Sequence, residues 1–233
     1  MSDAIASAIR TSQALTDKIT AAATTTGESI GPALYEFVEQ GTESVGRVIT
    51  PIAENPFVKF ATTIPVIRWL FAALGQVNVN AVQKDVAELQ RKYPTDTPEQ
   101  LAHRIMVDTA WKAAGIGLAT NFIPPLALTL FAIDLGAISA LQAEMIYRIA
   151  VIYGFSPNEP ARRGEVLTLW GLFTGSSEVM KIGLSIVELL PGVGTLVGTS
   201  SSAGLVYGMG YLACRFYEEK LKSTGIQGSK SNG

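Results

Sequence analysis

The sequence contains few of the residues from which metal centres, disulfides and nucleophile–base pairs are built. It has one cysteine, Cys214, and one histidine, His103, in 233 residues. A single cysteine excludes an internal disulfide, and one cysteine with one histidine excludes a Cys/His zinc site. His103 has no second ligand or nucleophile within one helical turn, so we interpret it as a solvated or capping side chain. We therefore expect no catalytic residue, no metal and no cofactor.

Charged residues are also scarce. Lys, Arg, Asp and Glu make up 16% of the chain, against 48% for hydrophobic residues, whereas soluble domains usually carry roughly 25% charged residues. The net charge of −2 and the pI near 5.5 exclude the basic stripe that a nucleic-acid surface needs. The start of the chain lacks the basic and apolar regions of a secretory signal. We expect the protein at the cytoplasmic face of a membrane.

The shortage of charge is concentrated in two apolar stretches. Between Ala113 and Ala143 the only charged residue is Asp134, and Pro124-Pro125 lies near the middle. Two adjacent prolines interrupt a helix, because they lack N–H donors and restrict the preceding residue. They fit a turn that is followed by a returning helix over 126–152. The pattern predicts a helical hairpin whose apolar tip enters one leaflet of a membrane or packs inside a bundle.

A second apolar stretch, 182–214, repeats this design around Pro191-Gly192. Small residues recur every four positions in it, and such ridges let helix backbones approach closely. We predict that this stretch packs against another helix, in the same chain or in a homo-oligomer. The glycines of these ridges are Gly194, Gly198, Gly204 and Gly208.

The returning helix of the first hairpin carries four polar residues of interest. Asp134 and Gln142 fall on its apolar face, and Glu144 and Arg148 form an i,i+4 pair. A carboxylate among apolar groups must be hydrogen-bonded, paired or protonated. Two interpretations of Asp134 and Gln142 are open. They line a polar path or act as a conformational latch, or they bond a neighbouring helix and lock the hairpin to the bundle.

Capping patterns and composition divide the rest of the chain. Thr97-Pro98-Glu99-Gln100 and Ser156-Pro157-Asn158-Glu159 have the pattern of capping boxes. Arg162-Arg163, after the second, are interpreted either as contacts to lipid headgroups or as a solvated turn. Helices are predicted at 29–48 and 80–93, the second with Val82, Val86 and Leu89 facing inward. Gly154 is predicted to end the returning helix in the left-handed conformation. The predicted organisation is amphipathic N-terminal helices over 1–50, a helical connector over 51–95, a hairpin domain over 96–222 and a disordered tail over 223–233.

Several runs resemble a known family. They are Ile133-Asp134-Leu135, Leu141-Gln142-Ala143-Glu144-Met145-Ile146, Ile152-Tyr153-Gly154, Leu190-Pro191-Gly192-Val193-Gly194 and Arg215-Phe216-Tyr217-Glu218. Together they resemble the EcsC family and the related YcjF-type domain that follows some Era-like GTPase domains. The resemblance covers about residues 97–220 and implies an all-helical, membrane-associated domain without known catalysis. This chain contains no GTPase domain, so we expect no nucleotide-driven role within it.

These patterns predict an all-α protein, a membrane-associated helical bundle built around two apolar helical hairpins. The expected function is non-enzymatic: binding or organising a membrane. The expected partners are membrane lipid, a second copy of the chain and an unidentified protein, and not nucleic acid. Two alternatives stay open. One is a channel or translocation component with a polar path at Asp134 and Gln142, and the other is a soluble adaptor of a GTPase.

Overall fold

The computed structural model describes residues 30–49, 77–120, 127–175 and 201–225, and the regular structure within them is entirely helical. This confirms the all-α prediction for these residues. The predictions for 1–29, for Pro124, Pro125, Pro191 and Gly192, for Gly194 and Gly198, and for 226–233 lie outside the described residues. The helices are α1 (Ile30–Ile49), α2 (Val79–Lys92), α3 (Pro98–Thr120), α4 (Ala127–Ile152), α5 (Ala161–Gly175) and α6 (Ser201–Ser223).

The start of α3 and the end of α4 are fixed by local hydrogen bonds that the sequence predicts. Thr97 Oγ1 accepts from the Gln100 N–H at 3.3 Å, and Gln100 Oε1 accepts from the Thr97 N–H at 2.8 Å. This reciprocal capping box satisfies two donors that a helix start leaves without partners. After α4, Gly154 adopts a φ of 88°, and the Phe155 N–H donates to the Ala150 carbonyl at 2.9 Å. This is a glycine-dependent helix end of the Schellman type.

The second predicted capping box does not form. Ser156 Oγ accepts from the Asn158 N–H at 3.3 Å, and α5 begins only at Ala161. The Glu159 carboxylate accepts a hydrogen bond from Arg162 Nη2 at 2.5 Å instead of turning back to Ser156. The prediction is wrong because a charge-assisted bond to a guanidinium is stronger than a bond to a neutral backbone N–H.

Helices α3 to α6 form a bundle in which the chain direction alternates. Tyr217 and Lys220, near the end of α6, contact Glu165 in the first turns of α5. At the same end of the bundle, Glu99 in the first turn of α3 and Tyr153 just after α4 line one cavity with the C-terminal half of α6. Helices α3 and α5 therefore begin at the end of the bundle where α4 and α6 finish.

Helix α6 lies at the centre of the packing. It contacts α1, α3, α4 and α5, and its Met209, Phe216 and Tyr217 side chains are fully buried. Helix α1 packs against α5 and α6, while α2 packs against α4. The predicted inward face of α2 is confirmed, since Val82 and Val86 are buried. The two outer helices thus cover different parts of the bundle core.

Helices α1 and α5 approach closely through two reciprocal glycine contacts. A β-carbon placed on Gly41 would lie 2.4 Å from Thr168 Cγ2, and one placed on Gly164 would lie 2.9 Å from Thr42 Cγ2. Distances this short require a neighbour to move, and the branched threonine side chain has little freedom to do so. Glycine is therefore needed at both positions for this close approach.

We predict that Gly41→Ala lowers the free energy of unfolding by about 1–3 kcal/mol, the usual cost of overpacking. Gly171→Ala is the matched control, because Gly171 is also helical and a β-carbon there would meet nothing within 4 Å. That control should raise stability by about 0.5–1 kcal/mol through helix propensity alone. Urea denaturation of both variants measures the difference. Equal effects would contradict the close approach of α1 and α5.

Candidate functional site

A cavity of about 580 Å³ opens between the start of α3 and the C-terminal half of α6. This volume is typical of pockets that hold small organic molecules. Tyr153, Tyr207 and Tyr211 line it, so we call it the tyrosine cavity. Met106 and Cys214 line its buried part, with 3.9 Å between their sulfur atoms. The cavity therefore combines an aromatic wall with a soft, apolar floor.

Both arginines of the tyrosine cavity are already engaged by carboxylates. Arg104 Nε lies 2.6 Å from Asp96 Oδ2. Arg215 Nη1 lies 2.8 Å from Glu218 Oε2, and its Nε donates to the Tyr211 hydroxyl at 3.0 Å. Neither guanidinium is left as an isolated positive charge.

Two other polar groups of the cavity have no such partner. Among the described residues, no cation pairs with the Glu99 carboxylate and no group hydrogen-bonds the Tyr153 hydroxyl. Tyr153 is nevertheless only 7% exposed. Burial raises the pKa of Tyr153, and the nearby Cys214, Glu218 and Glu99 raise it further. The Tyr153 hydroxyl is therefore protonated at neutral pH and can donate to a ligand in the cavity.

His103 is only partly solvated and does not cap a helix, so the capping interpretation is wrong. It is half-buried, and its Nδ1 lies 2.8 Å from the Tyr207 hydroxyl. The two rings meet edge to face, with 5.8 Å between their centroids. The partner is distant in sequence, which is why the residues around His103 gave no sign of it.

A second polar group of residues, buried rather than open, joins α1, α5 and α6. We call Arg162, Glu165, Tyr217 and Lys220 the buried ionic cluster. Arg162 Nη1 bonds Glu165 Oε2, and both side chains are 0% exposed. The same oxygen accepts from the Tyr217 hydroxyl at 2.9 Å, and Glu165 Oε1 accepts from Lys220 Nζ at 2.7 Å. The Glu165 carboxylate therefore accepts hydrogen bonds from three donors.

The buried ionic cluster overturns both interpretations of Arg162. Because this guanidinium is fully buried, it forms neither a headgroup contact nor a solvated turn; Arg163 beside it is exposed. Lys220 Nζ also bonds Glu39 Oε1 of α1 at 2.7 Å. Burial by itself lowers the pKa of Lys220, but the bonded carboxylates of Glu165 and Glu39 raise it above its ordinary value.

The polar residues predicted on α4 lie away from the tyrosine cavity. Gln142 is buried, and its Oε1 accepts from Trp170 Nε1 of α5 at 3.1 Å. The predicted Glu144–Arg148 pair forms at 2.8 Å. Arg148 Nη2 also bonds Asp85 Oδ2 of α2 at 2.6 Å. The side chain of Asp134 lies outside the described residues. Of the predicted packing glycines, Gly204 and Gly208 are buried in α6.

Charge is segregated along the bundle. The last charged residue of α3 is Lys112, that of α5 is Glu165, and α6 has none before Arg215. Helix α4 has only Asp134 before Glu144. Because the chain direction alternates, the uncharged lengths lie together, away from the start of α3. We call them the uncharged end, in which Asp134 is the single charged residue; they are 113–120, 127–143, 166–175 and 201–206.

An exposed tryptophan marks the boundary of the uncharged end. Among the side chains that the structure describes, Trp111 is the only large hydrophobic one that is exposed, and 55% of its surface is accessible. It adjoins Lys112, which pairs with Asp108 at 2.7 Å. Tryptophan beside a cation is typical of a membrane–water interface. Among the described helices, none is both long enough and apolar enough to cross a membrane.

The tyrosine cavity was not predicted from the sequence, although the sequence of α6 does contain a signal for it. Tyr207, Tyr211, Arg215 and Glu218 recur at spacings of three or four along α6. Such spacing places residues on one helix face. Our interpretation of this stretch considered its glycines and passed over its polar aromatic face.

Comparison with known proteins gives one distant similarity. No protein-family model matches the sequence, and no solved structure matches it significantly. The chain is 25% identical over 126 residues to magnetosome membrane protein 22 of Magnetospirillum gryphiswaldense. The match covers 52% of this chain and 63% of that protein. The chain thus spans less than two thirds of the relative's length.

Proposed function

We propose that this is a non-enzymatic, membrane-associated protein that binds lipid through the uncharged end of its helical bundle, from the cytoplasmic face. The observation that carries the proposal is the segregation of charge along α3 to α6. The transfer of apolar side chains out of water lowers the free energy, whereas each charge placed in hydrocarbon raises it by several kcal/mol. A bundle with all but one of its described charges away from one end can place that end against lipid.

Two further observations support this orientation. Trp111 is exposed at the level where the charges of α3 stop, which is the level an interfacial tryptophan would occupy. The distant relative is a membrane protein, and the resemblance to the EcsC family implies the same association. The proposal requires lipid contact and does not require a helix that crosses the bilayer.

The contact of Gln142 favours a packing role for this residue over a polar path. Its amide oxygen is occupied by Trp170 of the neighbouring helix, so it is not directed at a water-filled channel. We therefore propose that Gln142 locks α4 to α5.

Flotation of the full chain with lipid vesicles tests the proposal. We expect the protein to float with the vesicles and to stay bound at high salt, because apolar burial is not screened. Trp111→Ser should weaken partitioning roughly 5- to 30-fold, the equivalent of about 1–2 kcal/mol of apolar burial.

Lys84→Ser is the matched control, since Lys84 is exposed and lies on α2. This control should leave flotation unchanged. Recovery of the protein entirely in the vesicle-free fraction would overturn the proposal and would favour the soluble adaptor. If the Lys84→Ser variant does not float with the vesicles, or if high salt releases the protein, attraction between surface charges and anionic lipid is identified instead.

A further inference from the structure

We propose that the tyrosine cavity is a binding site for a small organic cation, an amine or a quaternary ammonium compound. The first argument is its charge. Asp96, Glu99 and Glu218 contribute three negative charges, and Arg104 and Arg215 contribute two positive ones. The pairs Arg104–Asp96 and Arg215–Glu218 neutralise each other. The carboxylate of the lining that is left over is Glu99; Lys222, outside the lining, pairs with Glu218 and Glu219.

The second argument is the aromatic wall. The faces of tyrosine rings carry negative potential and attract cations, and cages of several aromatic rings are a recurring solution for ammonium groups. Tyr153, Tyr207 and Tyr211 all line the cavity. The Arg215 guanidinium already lies 5.2 Å from the centre of the Tyr211 ring, so the rings left for a ligand are those of Tyr153 and Tyr207. Burial raises the pKa of Tyr207 as well as that of Tyr153, so these rings stay neutral phenols. The protonated Tyr153 hydroxyl is available to a polar group that the same ligand carries.

The third argument concerns the size and lining of the cavity. Its 580 Å³ far exceeds the space that a bare metal ion fills. Among the described residues, no group of three or more His, Cys, Asp or Glu side chains is placed to hold a metal. The floor of Met106 and Cys214 suits an apolar body, because methionine sulfur is polarizable and adapts its shape. An ammonium group with alkyl substituents fits both the floor and the wall.

The tyrosine cavity lies at the charged end of the bundle, away from the end proposed to meet lipid. A ligand there reaches the protein from water, and its binding can be measured without vesicles. Failure of lipid binding and failure of cation binding are therefore separate results. The same ammonium chemistry occurs in free amines and in choline headgroups, and comparison of choline with glycerophosphocholine distinguishes these two sources.

The test is titration calorimetry of the full chain with choline and with 3,3-dimethylbutan-1-ol (dimethylbutanol below). In this alcohol a carbon atom replaces the ammonium nitrogen of choline. These two ligands have nearly the same shape and differ in charge. We expect choline to bind at least about tenfold more tightly than dimethylbutanol, because only choline meets Glu99 and the ring faces as a cation.

Glu99→Gln should weaken choline binding about tenfold and leave dimethylbutanol binding unchanged, since it removes the charge and keeps the shape. Glu88→Gln is the matched control, because Glu88 is an exposed carboxylate on α2, and it should have no effect. Tyr153→Phe should weaken both hydroxyl-bearing ligands equally, because it removes the donor and keeps the ring.

Three results would overturn the inference: no heat of binding with choline, equal affinity for choline and dimethylbutanol, or tighter binding of inorganic phosphate than of choline. The last result would show that Arg104 and Arg215 release their carboxylates to an anion. Tighter binding of glycerophosphocholine than of choline would support the site and identify a headgroup-derived ligand.

Discussion

Glu165→Ala is expected to lower the free energy of unfolding by about 3–5 kcal/mol, the usual cost of removing one partner from a buried ion pair. Arg162 is 0% exposed and Lys220 Nζ lies 2.7 Å from the same carboxylate. Without Glu165 both cations stay buried and lose their shared partner, and the Tyr217 hydroxyl loses its acceptor. Urea denaturation followed by circular dichroism measures the loss.

Two comparisons make this expectation specific. Glu88→Ala removes a carboxylate that is 53% exposed and 3.9 Å from Lys84, so it should change stability by less than about 1 kcal/mol. Replacing both buried partners, Arg162→Met with Glu165→Leu, should cost less than Glu165→Ala alone, because no guanidinium is then buried without its carboxylate. A loss below about 1 kcal/mol for Glu165→Ala would show that Arg162 and Lys220 reach water or Glu159 and Glu39 instead.

We also expect a large loss of stability at alkaline pH. Burial raises the pKa values of Tyr153, Tyr207 and Tyr217 and of the Cys214 thiol above their ordinary values. Groups whose pKa is higher in the folded state than in the unfolded state hold protons that the unfolded chain releases. Their contribution is fully present below the unfolded pKa and is lost as the pH rises above it.

The pH range in which stability is lost follows from the pKa values of these groups in the unfolded chain. Loss should begin above about pH 8.5 with Cys214 and steepen above about pH 10 with the three tyrosines. Each group contributes about 1.4 kcal/mol per pH unit once its unfolded pKa is passed. The slope of the loss therefore increases when the tyrosines add to Cys214 above about pH 10.

Urea midpoints between pH 8 and pH 11 measure this loss, together with tyrosinate absorbance. Tyrosinate from the three buried residues should appear only as the protein unfolds. Cys214→Ala should abolish the loss between about pH 8.5 and 10 and leave above pH 10 only the loss that the tyrosines cause. A flat stability profile up to about pH 10.5 would contradict the burial of these four groups.

The elements that the sequence predicted well depend on neighbours along the chain. The capping box of Thr97 and Gln100 joins residues three apart, and Gly154 ends α4 through its own φ angle. The inward face of α2 follows from the spacing of Val82 and Val86. Local pattern determines these features, so composition and spacing are sufficient to find them.

The features that the sequence did not predict depend on residues far apart in the chain. Arg162 looks like a surface residue until Tyr217 of α6, 55 positions away, comes within reach of its guanidinium, and His103 meets Tyr207 across 104 positions. The Ser156–Glu159 box failed for a local reason instead, since Arg162, three positions further on, draws the Glu159 carboxylate away. Gly41 and Gly164 stand in no glycine ridge, and their importance appears only when α1 meets α5.

The bond between Glu39 and Lys220 has a consequence for synthesis on the ribosome. It joins residues 181 positions apart, so α1 emerges long before the lysine that fastens it to the bundle. Arg162 and Glu165 likewise emerge before Tyr217 and Lys220 complete their surroundings. Contacts of such long range form late, and the surfaces that they will cover stay exposed until then. The nascent bundle therefore stays open until its last helix has been made, and that helix is also the one that closes the tyrosine cavity.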